Sequence, residues 1–277
     1  QSLKEDLMES SNPVLNRYNK RGYASMGITS TVGTTGFSTS YDANEGRGDV
    51  SLEDLYKAPA ASSMRTGRMT MDDVVTRTAM LFGLLVVAGG FAWKAALGGG
   101  VLIGSLLAAT LIGFVISFST KVRPALVLVY AALEGLVLGT ISKAYESVYP
   151  GIVSQALLAT AFAFVGVLFA YRSGRIKITA RATKIATGAI IGYLILGVVN
   201  IFGGNFIFNG QFGPLVAVFG VGLASFFLAM DFDQAAKAVA IGVPQEESWR
   251  VGFGLMVSVV WLYLEVLRLI SILRDDR

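Results

Sequence analysis

Four acidic side chains lie in or beside stretches of this sequence that are otherwise apolar. Glu134 and Glu265 each stand within a long apolar stretch, and Asp231 and Asp233 follow a run, residues 185–230, that contains no Asp, Glu, Lys or Arg. A charge at the centre of a lipid bilayer costs about 3 kcal/mol or more, so such acids are retained for pairing, proton handling or ion coordination. We therefore interpret the four acids as candidate functional residues.

Two of these acids could together form a proton-operated latch. Two carboxyl groups that meet out of water resist double ionisation, so they hold one proton between them. If Glu265 meets Asp231 or Asp233, loss of that proton at higher pH would separate two helices or admit a cation. Ca²⁺ suits the resulting site because it is a hard ion that takes 6–8 oxygen ligands. These three acids are thus candidates for pH sensor, gate and metal ligand.

Helical geometry and neighbouring charges leave alternatives open. Positions 231 and 233 are about 200° apart on a helix, so at most one of Asp231 and Asp233 faces the bundle centre. The other would lie in the headgroup region. Arg268 follows Glu265 by three residues and could simply neutralise it. Arg268 or Arg123 could also tune the latch.

Composition places the chain in a membrane. Hydrophobic residues make up 53% of the sequence, charged residues only 15%, and the mean hydropathy is +0.61. A soluble domain of this size is far less apolar.

The net charge of +4 comes from basic residues between apolar stretches, which argues against a nucleic-acid partner. Without cysteine there is no disulfide framework, and without histidine proton sensing falls to carboxylates. We expect no tightly bound cofactor, with membrane lipids, calcium and protons as partners.

Length and turn residues divide the apolar part into seven membrane-spanning helices, because a helix needs roughly 20 apolar residues to cross the bilayer. The uncharged run is divided by the turn signals Gly203-Gly204-Asn205 and Asn209-Gly210-Gln211. The sequence predicts an all-α membrane protein with helices at 75–94, 96–119, 124–145, 150–171, 181–202, 213–231 and 248–273.

The distribution of Lys and Arg predicts the orientation, because these residues accumulate in cytoplasmic loops. The fourth loop holds Arg172, Arg175, Lys177, Arg181 and Lys184, whereas the connection at 203–212 holds none. The amino terminus is therefore expected in the cytoplasm and the carboxyl terminus outside.

Residues 1–73 differ from the rest of the chain and are predicted to form a flexible cytoplasmic arm, with 74–277 as the membrane domain. The arm includes a Gly/Ser/Thr-rich stretch, 27–40, that cannot bury enough apolar surface to offset its ordering entropy. Its aromatic residues could dock on the membrane domain or on a protein partner, or could have no role beyond a flexible tail: Tyr18, Tyr23, Phe37, Tyr41 and Tyr56. Residues 1–7 precede Met8, which looks like an ordinary start. In the membrane domain, three GxxxG pairs predict close helix contacts: Gly100/Gly104, Gly135/Gly139 and Gly188/Gly192.

Several motifs in order resemble the Bax inhibitor-one family, most closely its bacterial YccA-like branch. They are Lys121-Val122-Arg123-Pro124, then Tyr130 to Gly139, then Ala229-Met230-Asp231-Phe232-Asp233, then Trp261 to Leu269. The resemblance covers about residues 65–274. It implies a seven-helix bundle with the last helix central, and a pH-sensitive calcium leak in a bacterial plasma membrane.

In that family an aspartate pair on the sixth and seventh helices serves as pH sensor and gate. Carried over by motif, the seventh-helix position falls on Glu265 and the sixth-helix position on Asp231, with Asp233 as the rival. This chain departs from the family pattern in two places: Glu replaces Asp on the last helix, and the loop 234–247 is longer than in animal members.

Other functions remain open alongside the leak. A proton-coupled cation transporter would use Glu134, Asp231 and Glu265 as relay carboxylates, and in a leak Glu134 and Arg123 could line the pore. A non-conducting protein that regulates membrane partners is a further alternative. Enzymatic activity is not expected. An intramembrane aspartyl protease needs two aspartates and a Gly-x-Gly-Asp signature, and this chain has Gly220-Val221-Gly222-Leu223 at the corresponding place. Serine or metal hydrolysis is disfavoured because the chain has no histidine to act as base or ligand.

Overall fold

A computed structural model describes residues 67–202, 208 and 210–275 of the chain, and these residues form seven long helices. In chain order the helices are α1 Met71–Ala95, α2 Gly99–Phe118, α3 Pro124–Val148, α4 Ile152–Arg172, α5 Ala180–Phe202, α6 Gly213–Ile241 and α7 Ser248–Asp275, with a 3₁₀ turn at Gln245–Glu247. All seven are long and apolar enough to cross a membrane. The predicted all-α, multi-pass membrane architecture is confirmed, while the arm up to residue 66 and the turn 203–205 lie outside the described residues.

The helix ends follow local sequence signals. Thr70 and Asp73 form a capping box at the start of α1, where the Thr70 hydroxyl accepts from the Asp73 amide and Asp73 accepts from the Thr70 amide. Pro124 stands at the first turn of α3, where its missing N–H costs nothing. Gly242 ends α6 in the left-handed conformation (φ 72°), which glycine adopts without strain.

Helix α7 is the centre of the bundle, as the family resemblance implied. It packs against α1, α3, α4 and α6. In its most apolar 18-residue stretch 56% of the residues are buried, compared with 6% in the corresponding stretch of α5. Because successive helices alternate in direction, α1, α3, α5 and α7 begin at one end of the bundle. We call it the basic end, since the loop between α4 and α5 carries most of the exposed cations there.

One of the three predicted glycine contacts is confirmed. A Cβ at Gly135 would collide with the Leu85 carbonyl oxygen, and one at Gly139 would collide with that of Gly89, so α1 and α3 touch through their backbones. The other two pairs, Gly100/Gly104 and Gly188/Gly192, have nothing within 4 Å of an added methyl group. Those two predictions were wrong, because glycine frequency alone does not say which face meets a neighbour.

Helix α6 is longer than predicted. The sequence interpretation ended it at 231, but it continues to Ile241, so most of the predicted loop 234–247 is helical. The physical reason is that residues 234–241, rich in alanine, contain no helix breaker before Gly242 and Pro244. Asp231 and Asp233 therefore lie ten and eight residues inside the helix rather than at its end.

The segment before α1 is fastened to the connection between α6 and α7. Met69 donates its amide to the Val243 carbonyl at 2.8 Å, and the Gln245 amide donates to the Gly67 carbonyl at 2.9 Å. The Gln245 side chain adds a 2.8 Å hydrogen bond to Asp73. These bonds hold the α6–α7 hairpin, which carries three of the candidate acids, against the start of α1.

Candidate functional site

Glu265 lies in a buried polar cluster where α7 meets α5 and α6. Its side chain is only 8% exposed. One carboxylate oxygen accepts from the Tyr193 hydroxyl at 2.6 Å and from the Trp261 indole N–H at 3.0 Å. The other lies 2.7 Å from an Arg268 guanidinium nitrogen. Both oxygens therefore have a polar neighbour supplied by the protein.

Space for this cluster comes from a glycine on α6. A Cβ at Gly220 would lie 2.5 Å from a Glu265 carboxylate oxygen and 2.7 Å from the Tyr193 hydroxyl. Arg268 completes the arrangement: it donates to the Tyr193 hydroxyl at 2.8 Å and its guanidinium lies 4.6 Å from the centre of the Phe208 ring. The neutralising role that the sequence left open for Arg268 is the one the structure has.

Asp231 is held in a different way, at the contact between α6 and α7. The Ser258 hydroxyl of α7 donates to one of its carboxylate oxygens, and a Cβ at Gly254 would lie 3.4 Å from the other. No Lys or Arg forms an ion pair with Asp231 in the part of the chain that the structure describes. This acid thus faces the central helix with a hydroxyl as its polar partner.

Asp233 points elsewhere, as the 200° spacing predicted. It forms an ion pair with Lys237 at 2.5 Å and lies 3.4 Å from the Tyr171 hydroxyl of α4. Since Lys237 is 63% exposed, this pair belongs to the edge of the bundle. Asp231 is therefore the inner aspartate of the two.

The structure does not bring the predicted carboxylate pair together. Glu265 packs at Gly220, whereas Asp231 packs at Gly254 and Ser258. Ser258 and Glu265 are seven residues apart on α7, which is a rise of about 10 Å. The antiparallel register of α6 and α7 sets this separation, and motif spacing in the sequence could not reveal it. The predicted direct latch is absent from this conformation.

The predicted three-acid metal site is likewise not assembled. Asp231, Asp233 and Glu265 face different neighbours, and the described residues contain no group of three or more acids that could hold a metal ion. A cation at Asp231 would find one carboxylate and the Ser258 hydroxyl as side-chain ligands. So few ligands favour transient binding of a cation over a stable metal site.

The two remaining candidates lie on α3. Glu134 lies beside the Tyr130 hydroxyl, one turn earlier on α3. It is ten residues from the basic end of α3, and Asp231 and Ser258 are also ten residues from the basic ends of α6 and α7. Arg123 precedes α3 and is exposed at the basic end, beside Arg250 in a shallow cleft. A rise of about 16 Å separates it along the helix axis from the level of Glu134 and Asp231. Arg123 is therefore too far from both acids to tune them.

Sequence reasoning missed Ser258 and Tyr193, the direct partners of Asp231 and Glu265. Ser258 had a signal, since it is seven residues from Glu265 and so shares a face of α7. Tyr193 is the only tyrosine in the uncharged run 185–230. Buried tyrosine hydroxyls usually find a partner, so this position could have been paired with an acid.

Comparison with known proteins agrees with the helical architecture. A family model described as "Bax inhibitor 1 like" matches residues 12–275, and so begins further toward the amino terminus than the motifs alone suggested. No curated protein matches the chain. The family match spans nearly all of the sequence, including every helix and both acidic sites. The chain thus belongs to the Bax inhibitor 1 like family of membrane proteins.

Proposed function

We propose that this protein is a pH-sensitive cation leak, with calcium as the ion, and that the contact between Asp231 and Ser258 is its gate. The observation that carries the proposal is an acid inside a membrane-spanning helix whose polar partner is a neutral hydroxyl. Such an acid can be neutralised by a proton or by a passing cation, because none of the described Lys and Arg side chains pairs with it.

The direction of the pH response follows from the charge. With a proton, the Asp231 carboxyl is neutral and α6 and α7 can stay in contact through Ser258. Without the proton, the charge requires water or a cation at the contact, which opens it. Calcium flux should therefore rise as the pH rises. Glu265 is less suited to sensing, since Arg268 already balances its charge.

Flux through purified protein in liposomes, measured with a trapped calcium dye between pH 5 and 8, tests this gate. Asp231→Asn should flatten the pH dependence. Asp233→Asn is the matched control, because it removes an acid two residues away that pairs with Lys237 instead, and it should keep the parental profile. Parental behaviour of Asp231→Asn at every pH would remove Asp231 from the mechanism.

The same liposomes separate the leak from its rivals. A leak moves calcium only down its gradient, whereas a transporter driven by an imposed proton gradient would concentrate it. The absence of flux from pH 5 to 8 in all variants would indicate a regulatory protein without conduction. Glu134→Gln separates the transporter from the leak further, because proton-driven calcium uptake that uses Glu134 as a relay would be lost without its carboxyl group.

We also propose that the basic end faces the cytoplasm of a bacterial cell. The support is the clustering of exposed Lys and Arg between α4 and α5. The chain has no cysteine, so single cysteines at Arg175 and at Ala96 can be labelled with an impermeant maleimide in intact cells. We expect labelling at position 96 only, and the reverse pattern would invert the orientation.

A further inference from the structure

A pocket of about 640 Å³ lies at the end of the bundle opposite the basic end. Its walls come from the last turns of α3 and α7 and from the start of α6, which meet at that end. Five of its eight lining residues carry a hydroxyl, amide or carboxylate group: Tyr145, Tyr149, Gln211, Ser271 and Asp275. Pockets for small organic ligands span roughly 300–1,000 Å³, so this volume suits an organic molecule better than a bare metal ion.

Two helices present polar residues to this pocket in the same register. Tyr145 and Tyr149 are four residues apart on α3, and Ser271 and Asp275 are four residues apart on α7. Residues with this spacing share one face of a helix. The Tyr149 hydroxyl donates to a carboxylate oxygen of Asp275 at 3.3 Å, which joins the two helices at the pocket. One wall is therefore aromatic, and the wall beside it carries acceptors.

The charges around the pocket favour a cation. Asp275 takes part in no ion pair within the part of the chain that the structure describes. The neighbouring Arg274 is directed toward the start of α4, where its guanidinium donates to the Pro150 carbonyl at 3.0 Å and to the Gln155 side-chain oxygen at 2.8 Å. The last carbonyl groups of α7 have no partner within the helix, and they add the negative end of its dipole.

The polar groups of the lining match a cation that donates hydrogen bonds. The Ser271 hydroxyl gives its proton to the Arg268 carbonyl at 2.7 Å, so it offers lone pairs to a ligand. The Asp275 carboxylate and the Gln211 side-chain oxygen are further acceptors. A primary ammonium group presents three N–H donors, and its charge is attracted to the faces of tyrosine rings. A quaternary ammonium group has the charge but no N–H donor.

From these features we infer that the pocket binds a primary organic ammonium ion. The Asp275 carboxylate and the rings of Tyr145 and Tyr149 hold the charge, while Ser271 and Gln211 accept from the N–H groups. Calcium fits less well, because it takes 6–8 oxygen ligands and the lining offers a single carboxylate. Since the pocket lies where the spanning helices end, the ammonium group belongs to a soluble amine or to an ethanolamine lipid headgroup. The inference does not depend on ion conduction.

Ethanolamine binding to the full chain in maltoside micelles, measured by saturation-transfer NMR, tests the site. We expect saturable binding, with choline, the trimethylated analogue, binding about fivefold more weakly. Asp275→Asn should raise the Kd for ethanolamine about fivefold. Tyr145→Leu should raise it about two- to fivefold, and Tyr145→Phe, which keeps the ring, should leave it unchanged. The matched control is Glu146→Gln, an acid at the same end that accepts from the amides of Gly151 and Val153 instead of lining the pocket.

Native mass spectrometry with equal phosphatidylethanolamine and phosphatidylcholine distinguishes the two sources of the ammonium group. Preferential retention of phosphatidylethanolamine that Asp275→Asn abolishes assigns a lipid headgroup, and binding of free ethanolamine alone assigns a soluble amine; either result supports the site. The proposal fails if neither probe binds, if choline binds as well as ethanolamine, or if Asp275→Asn behaves like Glu146→Gln. Displacement of ethanolamine by equimolar calcium would also overturn it, because the pocket would then be a site for an inorganic cation.

Discussion

Glu265 and Asp231 both face the α6–α7 interface, but the protein treats their charges in opposite ways. Glu265 is surrounded by Tyr193, Trp261 and Arg268, so its negative charge is balanced and its oxygens have polar neighbours. Asp231 has the hydroxyl of Ser258. The first arrangement fixes a charge in place, whereas the second leaves the charge to depend on a proton or an ion.

The difference teaches that acidic residues in membrane helices cannot be ranked by burial. Glu265 is the more buried of the two, yet Arg268 of the same helix balances its charge and Tyr193 of α5 donates to it, so it is the better candidate for holding helices together. A buried pair is costly to break because the remaining charge has no partner. An unpaired acid can change state at lower cost, and that property is what a sensor needs.

Removing Arg268 should have the largest effect. Arg268→Met removes the only described cation beside the buried Glu265 carboxyl group, which should lower the free energy of unfolding by about 3–5 kcal/mol. Denaturant unfolding in detergent micelles measures the change. Adding Glu265→Gln should recover part of the loss, and a single-variant change below about 1 kcal/mol would mean that the pair is not structural.

A methyl group at Gly220 should rank second. Gly220→Ala would place a carbon 2.5 Å from a Glu265 oxygen, so the cluster must shift at a cost of about 1–3 kcal/mol in unfolding free energy. Gly254→Ala is the matched change beside Asp231, where the carbon would lie at an ordinary 3.4 Å. That variant should be neutral or gain up to about 1 kcal/mol from helix propensity. Equal effects at the two glycines would contradict the difference in packing.

Loss of the Tyr193 hydroxyl should have a moderate effect. Tyr193→Phe removes the hydrogen bonds to Glu265 and Arg268 but keeps the ring, so we expect a loss of about 1 kcal/mol in unfolding free energy. Tyr171→Phe removes a hydroxyl whose contact with Asp233 is long, at 3.4 Å, and should change little. A larger loss of unfolding free energy for Tyr171→Phe than for Tyr193→Phe would indicate that the polar contact with α4 matters more for stability.

Neutralising Asp231 should affect stability least. Asp231→Asn keeps an acceptor for Ser258 and leaves no cation unpaired, so unfolding free energy should change by less than about 1 kcal/mol. Glu265→Gln, which strands Arg268 in the cluster, should cost more in the same assay. A larger loss of unfolding free energy for Asp231→Asn than for Glu265→Gln would indicate that Asp231, and not Glu265, is the structural acid.

Most of the fold could be predicted because it depends on properties written along the chain. Apolar length predicted seven helices, and the Gly135 and Gly139 pair predicted a close contact on α3, for which the structure supplies α1 as the partner. The end of α6 was misplaced since Asp231 was taken as the membrane boundary, although the alanine-rich residues after Asp233 favour helix. A charge inside a span is tolerated when a neighbouring helix supplies a hydroxyl, and such a neighbour is invisible in one helix's sequence.

The candidate site was only half predictable for a related reason. The sequence identified Asp231 and Glu265 as acids in lipid-spanning segments, and helical geometry alone required Asp231 and Asp233 to face apart. Which acid meets which partner depends on the register between α6 and α7. That register places Ser258, rather than Glu265, opposite Asp231.

By itself, the sequence determined that this is a seven-helix membrane protein with acidic groups inside its spans, because apolar length and the cost of charge in hydrocarbon are local properties. Only the tertiary structure decided which of those acids is neutralised. Packing brings Tyr193 of α5, the gap at Gly220 of α6 and Glu265 of α7 to one point. These residues are far apart along the chain, and the electrostatic state of a buried acid is set by whatever side chain lies within a few ångströms of it.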